Sequence, residues 1–557
     1  MYIKISSMRG IKYVNIVEGY RVGKSVKHRS IANLGRLDVL EATGGLQVLG
    51  NRLLQLAGIT MQAQLGEDST SEGEILNYGY IVYRNMWKRL ELDSLMSALK
   101  AKHSRQTYDL NNVTFRTSVQ RLLDPVSKKA TYDNQETFYG LPRVELQHIY
   151  RSLEVLAEHK DEIENHLFQK TAQMRSSMDI VFYDVTTFAF QSVVKDEIRD
   201  FGFSKDQKFK DVQVVLGLFM DKDGYPIGYE LFKGNTFDSK TLMTMLHGLK
   251  KKFKIRRIVI VADRGINSKA NLLHIKEAGY EYIVASKIKS MDGRTIKNIL
   301  SEEGFVVSAQ KDPKSEEIFK HKVLDYSNYV VDADNKKVTL AEKLVVTYSS
   351  KRARKDEADR NRLIEKANKL LEDPSSINQQ FQRGGKAYIK KIDVKKYTYC
   401  LNTDKIAEDA KYDGFYAMQC SDSNLSAQEV MDAYHSLCRI EDCFRTMKGS
   451  LAVRPIFHWT EKRIKGHFVS CYIAFLMERM IEIPLKKQGV VVSPDAIQNA
   501  VASAVVCRFT SGDKEYFINC KNQVRDSDNL LTKIFRIAKC NKPKAINSKE
   551  EMMRIVV

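Results

Sequence analysis

The stretch VFYDVTTFAF, residues 181–190, constrains this chain more than any other. Nine of its ten residues are apolar, aromatic or β-branched, a composition that favours a strand buried on both faces in the middle of a sheet. The tenth is Asp184. An ionised carboxylate in such a strand is costly unless it is paired, hydrogen-bonded or bound to a metal. One reading is structural: the aspartate caps the strand's end by bonding to Thr186 or Thr187. The other is chemical: the carboxylate is a metal ligand.

The surrounding pattern supplies a sheet for this strand. DIVFYDVTTFAF, DVQVVLGLFM and YPIGYELFKG read as consecutive strands, with KDGYPIG as a hairpin turn. The helix SKTLMTMLHGLKKKF then leads into the strand RIVIVADRG, and the helix NSKANLLHIKEAG precedes YEYIVASK. The order β-β-β-α-β-α-β predicts a mixed sheet, antiparallel first and then parallel through helical crossovers. Upstream, residues 1–37 read as short strands punctuated by Gly10, Gly19 and Gly23, followed by helix to about 65. GEDSTSEGE (66–74) reads as a linker, and residues 75–174 are helical by period. Residues 290–410 break the rhythm with charged strand-like segments, a solvated helix KRARKDEADRNRLIEKANKLLED and the basic run RGGKAYIKKIDVKKY. They read as an insertion, after which long helices resume near 426 and 459. The expected divisions are 1–66 strand-rich, 67–174 helical, 175–290 and 411–483 one α/β catalytic domain, 291–410 an insertion subdomain, and 484–557 a C-terminal region.

Two further carboxylates stand out. Asp263 ends the strand of RIVIVADRG, and in open α/β sheets the carboxyl ends of strands form the active crevice. Taken alone, it reads first as a turn or helix-capping aspartate. In YHSLCRIEDCFRTMK (434–448), Tyr434, Glu441 and Lys448 are spaced by seven and stack on one helical face, shared by Arg445. Leu437, Ile440, Phe444, Met447 and Leu451 make the neighbouring apolar stripe, which would aim Glu441 toward the strand ends. An exposed Glu–Arg pair is the ordinary alternative. Together, Asp184, Asp263 and Glu441 could hold two divalent ions about 3.5–4 Å apart for chemistry at a phosphate. Oxygen-only ligands suit Mg2+ or Mn2+.

Charge agrees with such a substrate. The 557 residues, too many for one core, carry a formal charge of +20, a surplus that favours the phosphates of DNA or RNA. The eight cysteines form no CxxC pair and read as reduced thiols. MYIKISSMRG lacks the apolar core of a signal peptide, and FVSCYIAFLM (468–477) is half a membrane span. A soluble cytoplasmic protein with no membrane partner is expected.

In combination, FYDVTTF, VIVADRG and the Tyr434/Glu441/Lys448 helix resemble the DDE transposases of bacterial insertion sequences. The match is to the insertion sequence four type, which carries a Tyr-Arg-Glu-Lys signature and a large insertion before the Glu helix. GFSKDQKFKDVQVVLGL, GYPIGYELFKGNTFDSKTL and LAVRPIFHWTEKRIKGHFVSCYIAFL fit the same group, over roughly 1–485. The resemblance implies an RNase H-like catalytic domain, a mixed sheet flanked by helices, with an inserted β-rich subdomain and an N-terminal, mainly helical DNA-binding region. It implies that Asp184, Asp263 and Glu441 are the catalytic metal-binding triad and that Tyr434 and Lys448 hold the family's Tyr and Lys positions. The signature's Arg position is Leu437; Arg439 lies about 200° round the helix from Glu441, and Arg445 is better placed. Cleavage at the element's terminal inverted repeats, joining to target DNA, a homodimer in the synaptic complex and association with the nucleoid are implied as well, and Trp459 or insertion tyrosines are candidates to receive a flipped base.

Further DNA contacts are expected outside the sheet. NNVTFRTSVQRLLDPVSKKATYDN could hold a helix-turn-helix with Arg121, Lys128 and Lys129 near phosphates, or a plain helical bundle. Lys386, Lys390, Lys391, Lys395 and Lys396 form a candidate phosphate track. A nuclease on the same fold that hydrolyses without joining, and a non-catalytic repressor derived from a transposase, are the competing readings.

Overall fold

Alternating side chains and well-placed glycines draw residues 2–36 into an antiparallel sheet of β1 (Tyr2–Met8), β2 (Ile11–Val22) and β3 (Ser25–Arg36). Gly10 makes the first turn at φ +82°, a backbone state that disfavours any Cβ. Helices α1 (Leu37–Ala42) and α2 (Gly45–Leu56) follow. Met1–Gly73 and Phe509–Tyr516 form one compact unit; Glu74–Arg508 and Phe517–Val557 form the other. The computed structural model describes all residues except 24, 58–73, 104–105, 177, 204–209, 254–257, 308–316, 332–334, 373–383, 394–397, 512–513, 520–524 and 544–557. The expected linker at 66–74 therefore lies outside the described residues except for Glu74, as do Lys395 and Lys396 of the expected phosphate track.

The larger unit opens with β4 (Glu74–Asn77) and the helices α3 (Ile81–Arg89), α4 (Leu92–Ala101), α5 (Leu110–Leu123), α6 (Lys128–Asp133), α7 (Leu146–Glu158) and α8 (Lys160–Lys170). Then come β5 (Ile180–Ala189), β6 (Gln213–Asp221), β7 (Pro226–Lys233), α9 (Asp238–Phe253), β8 (Val259–Ala262), α10 (Lys269–Glu277) and β9 (Glu281–Ala285), in the order the pattern predicts. β5, β6 and β7 are antiparallel neighbours, β8 lies parallel to β5, and β9 lies parallel to β8.

The region 291–410 holds α11 (Gly293–Leu300), β10 (Val306–Val307), β11 (Phe319–Val331), β12 (Lys337–Ser349), α12 (Ser350–Glu372), β13 (Ile389–Asp393), β14 (Thr398–Leu401) and α13 (Thr403–Ala410). Strands of the expected β-rich insertion join the main sheet. β15 (Phe415–Cys420) pairs with β12 on one side and β9 on the other, so β10, β11 and β12 extend the main sheet. The open edge of β9 has backbone groups to satisfy, and this extension satisfies them. The nine strands run β10-β11-β12-β15-β9-β8-β5-β6-β7, while β13 and β14 make a ribbon of their own. The chain closes with α14 (Ala427–His435), α15 (Cys438–Lys448), α16 (Glu461–Lys487), α17 (Pro494–Ala502), β16 (Val505–Ser511), β17 (Lys514–Asn519) and α18 (Arg525–Ile537).

The two-residue period of β5 sorts its side chains between two cores. Val181, Tyr183 and Val185 pack with Leu242 of α9 and Leu272 of α10. Phe182 and Phe188 join a core that includes Ile440 and Phe444 of α15 and Phe468 and Tyr472 of α16. α16 is apolar on nearly every side and correspondingly buried, lying against α5 and α7. Helices of 75–174 thus share a core with the sheet. Among the described residues, no helix is long and apolar enough to cross a membrane.

Candidate active site

Asp184 is not at a strand end. β5 continues to Ala189, but its parallel pairing with β8 stops at Tyr183↔Ala262. Asp184 and Asp263 are the next residues on the two chains. Two positions on from Phe182 and Val261, both continue the sheet face that α15 covers. Asp184 is half-buried, and its Oδ1 accepts the amide of Val185 at 2.7 Å. Asp263 is exposed, and its Oδ1 accepts the hydroxyl of Tyr434 at 3.1 Å.

The single helix expected over 434–448 is two helices. Between α14 and α15 the chain tightens, with Leu437 N–H donating to Tyr434 O and Arg439 N–H to Ser436 O, at 3.0 and 3.1 Å. Tyr434 and Glu441 therefore belong to different helices, yet both line one cavity of about 760 Å³ with Asp263. Glu441 is exposed within the first turn of α15. Lys448, in the last turn, holds its Nζ 5.5 Å from the Phe188 ring of β5, on the face of Asp184. Leu437 is buried and also lines the cavity, so the position of the missing signature Arg is near the carboxylates.

Two groups that the sequence did not single out complete this cavity. Tyr416 of β15 bonds hydroxyl to hydroxyl with Tyr434 at 2.8 Å. Tyr434 gives its proton to Asp263, so Tyr416 is the donor in that pair. Burial and the Asp263 charge push the Tyr434 phenol well above its usual range, keeping it a donor. The first two turns of α12 bring Lys351, Arg352 and Lys355, with the Arg352 guanidinium 4.6 Å over the Tyr416 ring. This helix reads as solvated in the sequence. The signal for its role was the 351, 352, 355 spacing, which puts three cations on one face next to a strand end.

Other expected contacts fare differently. Arg445 pairs with Asp442 at 3.0 Å and lines a separate cavity beside Glu482 and Lys486. Arg439 donates to the Lys222 carbonyl. Trp459 is exposed, with the Arg199 guanidinium 5.6 Å from its ring, so core packing does not account for it. Lys390 pairs with Asp404, Lys391 lies 5.9 Å from the Tyr399 ring, and the two alternate across the β13–β14 ribbon. Lys386 is half-buried. Of the two readings of 111–134, a helix-turn-helix or a plain helical bundle, the burial of α5 along nearly its whole length fits the bundle, and Arg121 and Lys128 are buried.

The donor chemistry fits divalent ions: three carboxylates, two on adjacent strands and one on the helix covering them. Their oxygens are not drawn into a ligand cluster, however. Among the described residues, the groups offering three ligand atoms within 4.8 Å are His103/Glu158/His159 and Asp161/Glu164/Glu230. Mutual repulsion of like charges and the Val185 amide that engages Asp184 both oppose closer approach.

Residues 175–477 match the transposase DDE domain model, and residues 3–61 match the N-terminal domain of IS1634 family transposases. The first match spans more than half of the chain: it belongs to the DDE transposase family. It is accordingly a metal-dependent DNA transposase. Neither description mentions the insertion sequence four type expected from the motifs. No curated protein matches the chain. Among solved structures, it is similar to a piggyBac transposase synaptic complex with hairpin DNA, at 10% identity and a TM-score of 0.36, covering 89% of this chain and 87% of that one. It is also similar to a Mos1 transposase paired-end complex with the left transposon end, at 18% identity and a TM-score of 0.15, covering 34% and 57%. Scores this low leave the family resting on the sequence models.

Proposed function

We propose that this transposase binds the terminal inverted repeats of its own insertion sequence, cuts them through an RNase H-like site of Asp184, Asp263 and Glu441, and joins the freed ends to target DNA. Double-stranded DNA is the partner, and a homodimer would bring two ends together. The observation that carries the reading is the neighbouring position of Asp184 and Asp263 on parallel strands beneath the helix of Glu441. Mg2+ or Mn2+, when bound by these carboxylates, would activate a water or a 3′-hydroxyl and neutralise charge at the scissile phosphate. Tyr434, backed by Tyr416, orients Asp263. Lys448 and the Lys351/Arg352/Lys355 turn would hold the phosphates of the strand entering the cavity.

Asp184→Asn, Asp263→Asn and Glu441→Gln are each expected to abolish cleavage of a DNA end while leaving binding of that end largely intact. The measurement is cleavage and joining of a labelled terminal-repeat duplex in Mg2+ and in Mn2+. Any of the three variants cutting at the wild-type rate removes that residue from the site. Hydrolysis without a joined product from a pre-cut end favours a plain nuclease.

A further inference from the structure

Helices α5, α6, α7 and α16 and the segment after α15 line a second cavity, of about 510 Å³, which shares no residue with the catalytic one. Its walls carry Arg121, Lys128, Lys129, Arg454, His458 and His467 and no carboxylate. Lys128 is only 5% exposed and makes no ion pair or hydrogen bond among the described residues. Arg121 is 7% exposed; it donates to the carbonyl of Ala452 at 2.8 Å, and its buried Nε has no partner. His467 bonds the carbonyl of Val453 at 3.0 Å, and His458 is buried beside it. Lys129, at the edge, pairs with Asp133.

A buried ammonium next to a buried guanidinium, without a counter-charge, is a costly arrangement. Burial and Arg121 lower the Lys128 ammonium to about 7, so near neutral pH it is poised between charged and neutral. An anion in the cavity would restore its charge. Lysine offers three donors in rotatable directions, and His458 adds a donor from another element. Several donors around a compact space suit a tetrahedral oxyanion better than a planar carboxylate. We infer that this cavity is a phosphate-binding site, in which Lys128 and His458 contact a single phosphate group and Arg121 supplies fixed positive charge. The phosphate is either one unit of a DNA backbone or a free phosphate. The site does not rest on the assignment of the metal-binding carboxylates.

The test uses the full-length chain in phosphate-free, metal-free buffer. Inorganic phosphate at millimolar concentration should raise the melting temperature of the wild type by about 2 °C or more, and should not raise that of Lys128→Met. Methionine keeps the length of the side chain and removes the unpaired charge, so the variant should fold. As a second measurement, calorimetric titration should give phosphate affinity at least about tenfold weaker in His458→Phe than in the wild type. Equal responses of wild type and both variants, or none in any of them, overturn the site. A short duplex of arbitrary sequence that displaces phosphate from the wild type identifies the source as a DNA backbone. Phosphate binding that persists under saturating duplex identifies a free phosphate. Because no cleavage is read, Asp263→Asn serves as a parallel sample, and failure here is separate from failure of the catalytic reading.

Discussion

Tyr434 is the residue on which the geometry of Asp263 turns. Its hydroxyl gives Asp263 a charge-assisted hydrogen bond, a class worth about 1.5–3 kcal/mol. Tyr434→Phe should therefore slow cleavage about 10- to 100-fold and raise the Mg2+ concentration needed for half-maximal rate, with end binding unchanged. Tyr416→Phe, one bond further out, should give a smaller effect of the same kind. A metal requirement unmoved by Tyr434→Phe would mean that the phenol does not orient the carboxylate. At this scale the sequence was legible where a residue defied its surroundings, as Asp184 does in an apolar strand. It was not legible where a long side chain has a choice. Arg445 lies about 40° from Glu441 by helical phase, yet its flexible stem carries the guanidinium to Asp442 and another cavity. Tyr416 gave no signal at all, since nothing in its strand separates a tyrosine in a site from one in a core.

Among the elements, α16 is the one that the sheet and the N-terminal helices share. Gly466 lets it meet α7: a Cβ there would lie 1.8 Å from the Leu153 carbonyl oxygen. Gly466→Ala should cost on the order of 3 kcal/mol or more, read as a lower denaturation midpoint, because backbone must move on one helix or the other. The same helix buries Glu478, whose carboxylate oxygens have no hydrogen-bond partner among the described residues. Burial pushes its carboxyl up to about 8 from the usual 4.5, with the nearby Glu482 adding to the effect. A raised folded value means that this group's contribution is fully present below about pH 4.5 and lost as pH rises through about 8. Glu478→Gln should remove that loss, on the order of 5 kcal/mol, so urea midpoints of wild type and variant should diverge from about pH 4.5 to about pH 8 and hold a constant gap above it. Parallel curves would mean the carboxylate finds a partner in solution. The order β-β-β-α-β-α-β was legible because each of its elements carries its own period. The break at Ser436 and Leu437 was not, since neither glycine nor proline marks it, and the pairing of β15 with β12 joins segments about seventy residues apart that no local pattern links.

At the scale of the whole molecule, the charge of +20 says only that a polyanion is favoured; where the phosphates lie depends on which cations are unpaired and share a face. Among the described residues, Lys351 and Lys355 satisfy both conditions better than Lys390 does; Arg352 shares their face but pairs with Asp356 at 3.5 Å. All three line the carboxylate cavity from the first two turns of α12, whereas Lys390 is engaged by Asp404 and Lys391 faces the other side of its ribbon. Replacing Lys351, Arg352 and Lys355 together by glutamine should flatten the plot of log affinity for a terminal-repeat duplex against log salt by about 2–3. Cleavage should fall further than binding does, because these cations would position the strand at the carboxylates. Replacing Lys390 and Lys391 together should change the slope by less than about 1. If the two sets of substitutions flatten the slope equally, the DNA path runs over the ribbon as well as the cavity. If only the ribbon substitutions do, the start of α12 is a solvated helix face after all, and the scissile strand reaches Asp263 and Glu441 from another side.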